Sequence, residues 1–142
     1  MPKRFLVCAS VLALVLLASA AYAQYAAPAA KQTEPIVRTV LQKVDFPGEQ
    51  FTTVTAIASI APGALAARHT HPGVEIGYVL EGEGDLMVAG QPTRHVKAGD
   101  SFMNGNAVPH SFKNTNGDKP TRILSTYVVD KSKPLASAAP ET

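Results

Sequence analysis

The chain reads as an all-β domain, a sandwich or small barrel. Short runs rich in Val, Ile, Thr, Phe and Tyr recur between Gly, Pro and Asn punctuation. Between its two ends no stretch sustains the i, i+3, i+4, i+7 apolar spacing of a helix. With 142 residues, 46% hydrophobic and 17% charged, there is material for one ordinary globular domain and not for a two-domain enzyme.

Taken in chain order, the first element is a leader. Lys3-Arg4 make a short positive region, Phe5 to Leu17 an apolar run, and Ala21-Tyr22-Ala23 a small-x-small cleavage site before Gln24. The apolar run is shorter than the roughly 20 residues needed to span a bilayer. Residues 1–23 therefore predict a secretory signal peptide, a periplasmic or secreted protein, and no membrane attachment after cleavage. The single Cys8 leaves with the leader, so neither a disulfide scaffold nor a Cys-ligated zinc site is expected. Lys3 and Arg4 are two of 13 basic residues, and the remaining 11 balance the 11 acidic ones, which leaves no nucleic-acid footprint. Residues 24–35, Ala/Pro-rich at first, predict a flexible linker, and residues 131–142 (KSKPLASAAPET) a flexible tail.

The domain, residues 36–130, divides into nine predicted strands: Arg38 to Val44, Phe51 to Ile60, Leu65 to His71, Glu75 to Leu80, Asp85 to Val88, Arg94 to Val96, Ser101 to Met103, His110 to Lys113 and Thr121 to Val129. Pro47-Gly48, Pro62-Gly63, Pro72-Gly73, Gly82 with Gly84, Gly90, Gly99 and Asn116-Gly117-Asp118 supply the turns between them.

Two of the four histidines stand at His69-Thr70-His71, and residues i and i+2 of a strand share a face. Pro72-Gly73 then turns the chain, and Glu75 opens the next strand close to both rings. His110, after Pro109, offers a third imidazole. Three imidazoles and a carboxylate suit a divalent first-row metal with positions left open. Read one at a time, a His-x-His is often a surface pair and a Glu at a strand start is usually solvated. Alternation along the strands places Leu65 and Ala67 with the two histidines, Gly77 and Val79 with Glu75, and Val108 and Phe112 with His110, as a small apolar pocket wall. It also places Ile76, Tyr78 and Leu80 on the opposite face, where an exposed apolar row predicts a homodimer; cover by the N-terminal strand is the alternative. Phe102, Met103 and Tyr127 read as core or pocket wall, His95 as a surface residue and Asp100 as a turn cap. Arg68 and Arg94 are the nearest candidate cations, Arg68 with the wrong parity, while Lys113, Lys119 and Arg122 read as solvated.

Gly63, His69, His71, Glu75 and Gly82 stand at the spacing of the first cupin motif, and Gly99, His110 and Asn114 at that of the second. The chain thus resembles the cupin superfamily from about Phe51 to Val129. It departs at Gly105, where the pattern has Pro, and at Ala107, where it has Gly. The resemblance implies a single-domain jelly-roll β-barrel, the double-stranded β-helix. It also implies His69, His71, Glu75 and His110 as ligands of one divalent transition metal per chain, Fe, Mn, Ni, Cu or Zn. The expected function is a metal-dependent, dioxygenase-like oxidoreductase acting on a small organic molecule, with Glu75 as a candidate catalytic base. The alternatives are a non-catalytic binding module for a small molecule or the metal, and a metal-dependent lyase or isomerase.

Overall fold

Ten strands pair antiparallel into two five-stranded sheets in the computed structural model, which describes residues 34–140. The strands are β1 (Ile36–Asp45), β2 (Phe51–Ile60), β3 (Leu65–Thr70), β4 (Gly73–Glu81), β5 (Glu83–Val88), β6 (Arg94–Lys97), β7 (Ser101–Asn104), β8 (His110–Asn114), β9 (Thr121–Asp130) and β10 (Ser137–Ala138). One sheet has the order β1-β2-β9-β4-β7 and the other β10-β3-β8-β5-β6. This is the jelly-roll barrel. The leader and most of the linker lie outside the described residues, all of which belong to one compact unit, Gln32–Thr142. No helix among the described residues is long and apolar enough to cross a membrane.

Strand alternation builds the core. Ile60, Val79, Leu86, Val96, Phe102, Phe112 and Ile123 form one buried cluster, one side chain from each of seven strands in both sheets. Each contributes about 1.5–3 kcal/mol by leaving water. Val54, Ala56, Tyr127 and Val129 form a second cluster, joined by Leu135. Two glycines let the phenyl rings in: a Cβ on Gly77 would run into the ring of Phe102, and one on Gly84 into that of Phe112. At the far end of β8, buried Asn114 donates to the carbonyls of Ile60, Ala61 and Lys119 (2.9, 3.0 and 3.0 Å), tying β8 to the end of β2 and the turn into β9.

The two chain ends of the domain settle as follows on the barrel. The segment expected to be a flexible tail lies against the barrel as far as residue 140: β10 pairs with β3, Leu135 packs on the second cluster, Asp130 accepts from Ser132 Oγ, and Arg68 Nε donates to the Pro140 carbonyl. The N-terminal strand does not cover the outer face of β4. It extends the sheet edge beside β2, with β2 and β9 standing between it and β4.

Candidate metal centre

The two sheets bring their polar residues together at one point of the barrel interior. β3 and β8 place His69 directly opposite His110. In the other sheet, Glu75 on β4 is flanked by Asn104 on β7 and Tyr127 on β9. His71, in the connection between β3 and β4, completes the group, with ring centroids 4.9 Å from His69 and 5.1 Å from His110. The imidazole nitrogens that face one another lie within 4.8 Å.

Each ring is oriented from behind. Nδ1 of His69 donates to the Ala67 carbonyl at 2.7 Å, that of His71 to Leu135 at 2.6 Å and that of His110 to Val108 at 2.9 Å. A proton on Nδ1 leaves the Nε2 lone pair of a neutral ring facing the centre, the arrangement that a metal-ligating imidazole needs. Nε2 of His71 and of His110 are buried without a hydrogen-bond partner. Both lie close to Glu75 Oε2, at 3.5 and 3.2 Å, and lone pairs facing a carboxylate repel unless a cation stands among them. Three nitrogen donors beside a carboxylate fit a divalent first-row metal.

Burial alone would raise the Glu75 carboxyl pKa, but bonds from His110 and His71 when those rings are protonated, and from Asn104 in any state, outweigh it and hold the group well below the usual carboxylate range. Asn104 supplies one of those bonds, Nδ2 to Oε2 at 2.8 Å, and is itself buried. Tyr127 packs against the His71 ring at 4.8 Å between centroids. Burial, with the charge of Glu75 added to it, pushes its phenol up to about 12.

The group opens on a cavity of about 40 Å³ whose wall includes Phe112, with Phe102, Tyr127, Ala66, Ser125 and Arg38. The other expected wall positions need correction. A bulge in β3 between Ala66 and His69 reverses the parity of the strand, so Ala66 faces the cavity while Ala67 and the half-exposed Leu65 (50%) face out. Gly77 and Val79 point inward but lie beneath the wall, Gly77 under the Phe102 ring and Val79 in the core. Val108 sits in the turn before β8 and contributes its carbonyl to His110. Met103 is neither core nor wall: with Phe102 and Asn104 inside, it points out and is 66% exposed. Arg68 and Arg94 are spent on backbone carbonyls, of Pro140 and Ser101, and neither lines the cavity. Asp100 caps its turn through the Lys97 amide at 2.9 Å.

Asn104 escapes the sequence reading because the predicted strand stops at Met103; one residue more, at the parity of Phe102, would have found it. Arg38 carries no signal in the sequence, since nothing in β1 shows which of its faces is inward.

A barrel of two antiparallel sheets with clustered imidazoles inside defines the class, a β-barrel with a candidate metal centre. The cupin-domain family profile matches residues 56–127, just over half of the chain, and the chain belongs to the cupin family. Over 67 residues, 46% of the chain, it is 49% identical to the HTH-type transcriptional regulator PuuR of Escherichia coli, covering 35% of that protein. Over 75 residues, 53% of the chain, it is 36% identical to the cupin-domain-containing oxidoreductase srdB of Neurospora crassa, covering 37% of that protein. The chain thus spans about a third of the length of these relatives. Among solved structures, the DMSP lyase DddQ of Ruegeria pomeroyi superposes with a TM-score of 0.62 at 20% identity, over 74% of this chain and 52% of that one. At that identity it speaks for the fold alone.

Proposed function

We propose that this is an exported, metal-dependent cupin of the periplasm or the extracellular space. In this reading His69, His71, His110 and Glu75 hold one divalent first-row transition metal, and a small organic molecule is oxidised there in a dioxygenase-like reaction. The observation that carries it is the alignment of three imidazoles by Nδ1–carbonyl bonds, two of them with buried, unpartnered Nε2 atoms. The leader motif of residues 1–23 supports export. The identity shared with an oxidoreductase supports redox chemistry. A metal bound here supplies Lewis acidity and, where it is redox-active, a route for electrons to dioxygen. The chain's own residues do the rest. Asn104 fixes the Glu75 carboxylate, Phe102 and Phe112 exclude water, and Tyr127 keeps its proton through neutral pH.

A binding module is the second reading, favoured by the 49% identity with a transcriptional regulator over 67 residues. A metal-dependent lyase or isomerase is the third, because Arg38 and Tyr127 give the cavity a cation and a phenol. We also propose that two chains pair through the outer face of β4, β7 and β9.

Metal analysis of the protein purified from its own exported compartment tests the site. About one Fe, Mn, Ni, Cu or Zn per chain is expected, lost in His69→Ala and in His110→Ala. Oxygen consumption with small phenols, diketones and thiols then separates the readings. Uptake supports the oxidoreductase, turnover without uptake the lyase, and binding without turnover the module. A chain that neither carries metal nor takes it up on titration overturns the assignment.

A further inference from the structure

Apart from the histidines, one cationic side chain lines the cavity: Arg38. It is an exposed residue of β1, directly opposite Ala58, which lines the same cavity. The residue lies outside the stretch that matches the family, on a strand at the edge of the sheet. Three other cations of the barrel are ion-paired, Arg122 with Glu81 at 2.7 Å, Lys97 with Asp100 at 3.8 Å and Lys133 with Asp130 at 3.7 Å, and Arg68 and Arg94 bond backbone carbonyls. Arg38 has no carboxylate within ion-pair distance among the described residues. The one carboxylate that lines the cavity, Glu75, is engaged instead by Asn104 and faces His71 and His110. The remaining wall is mainly apolar, with Ile60, Leu86, Phe102, Phe112 and Ile123. Arg38 is itself exposed, so it stands at the open side of the cavity, where the planar fork of its guanidinium matches a carboxylate through two parallel N–H···O bonds.

We infer that the molecule bound here is a small carboxylate, its polar end toward the three histidines and its carboxylate paired with Arg38. The inference rests on the metal-dependent reading above and narrows its substrate class. Size narrows it further: a cavity of about 40 Å³ has space on the order of three water molecules, hence for a compact acid of a few heavy atoms. A lysine in that place would keep the charge and lose the fork.

The test compares glycolate with its neutral counterpart glycolamide, and with inorganic phosphate, by ligand-observed NMR. Each probe is titrated into the zinc-loaded and the metal-free protein, in the unmutated chain, Arg38→Gln and Arg38→Lys. The expected result is glycolate bound about tenfold tighter than glycolamide, a preference abolished in Arg38→Gln with glycolamide unchanged and partly kept in Arg38→Lys. Equal affinity for the two probes in the unmutated chain overturns the inference. So does a loss in Arg38→Gln shared equally by both, or phosphate binding tighter than glycolate. The two readings fail separately: absence of zinc uptake sinks the metal assignment, while the Arg38-dependent preference in the metal-free protein still decides the carboxylate.

Discussion

His71 donates through Nδ1 to the carbonyl of Leu135, 2.6 Å away and 64 residues later in the chain. The donor is a candidate ligand and the acceptor belongs to the C-terminal strap. That strap is itself fastened to β3, the strand of His69, by the pairs Ser137–Thr70 and Ala138–His69. A carbonyl behind an imidazole fixes its tautomer and its rotation, and removing such a partner typically costs 10- to 100-fold in metal affinity. Truncation after Pro134 should therefore weaken zinc binding by about that factor while one zinc per chain still binds at saturation. Calorimetric titration measures it, with the melting temperature of the metal-free protein as control. Unchanged affinity in a folded truncation would show the strap to be a structural clasp only.

Ala107 holds a left-handed backbone, φ 58°, while its amide donates to the His71 carbonyl at 3.0 Å. An L-residue bears roughly 1–2 kcal/mol for that conformation, part of which glycine returns as lost chain entropy. Ala107→Gly, which restores the residue of the second cupin motif, should stabilise the domain by about 0.5–1 kcal/mol in urea unfolding. Gly105, the other departure, has ordinary room: a Cβ there would meet only Val108 Cγ2, at 3.4 Å. A destabilised Ala107→Gly would mean that the methyl group packs against something that offsets the backbone cost.

How legible each part was follows from what encodes it. The nine longer strands and the gathering of His69, His71, Glu75 and His110 follow from residue type, turn chemistry and motif spacing, all of which are local. The wall at Leu65 and Ala67 was not legible, because a bulge is a single extra residue that leaves no mark in composition and reverses every side chain beyond it. The strap was illegible for another reason. Its two strand residues, Ser137 and Ala138, have no strand preference of their own and are ordered by partners on β3 and by Leu135 settling into the second cluster. Arg38 belongs to the same category, since which face of an edge strand looks inward is decided by its neighbour.

His95 titrates away from the candidate metal centre. Its Nδ1 lies 2.9 Å from Asp85 Oδ1, and that bond, supported by Glu83 on the other nitrogen, raises the imidazole pKa above its ordinary 6.5. A raised pKa in the folded state means stability fully present below the unfolded value and lost as pH rises through the folded one. The His95→Gln variant should accordingly differ from the unmutated protein more at pH 6 than at pH 9. NMR titration of the ring should give a midpoint above 6.5 that Asp85→Asn brings down; a midpoint at or below 6.5 would remove the ion pair from consideration.

The outer face of β4 is the surface that most needs an occupant. Ile76 (54% exposed) pairs in register with Met103 (66%), Tyr78 (46%) stands two residues along, and on β9 Val128 (40%) lies opposite Val74 of β4. Adjacent strands of one sheet present these side chains on one face, unlike the isolated apolar residues normal on a protein surface. The chain has no further described strand to lay over it, since β1 extends the sheet in its own plane. A twofold pairing of such a patch with its own copy is the simplest closed solution. Light scattering should then give twice the chain mass at micromolar concentration, and Ile76→Glu should give the monomer with its metal content intact, because charges facing each other across a buried interface repel. If the unmutated protein is already monomeric, the patch faces another partner. If Ile76→Glu stays dimeric, two copies meet elsewhere.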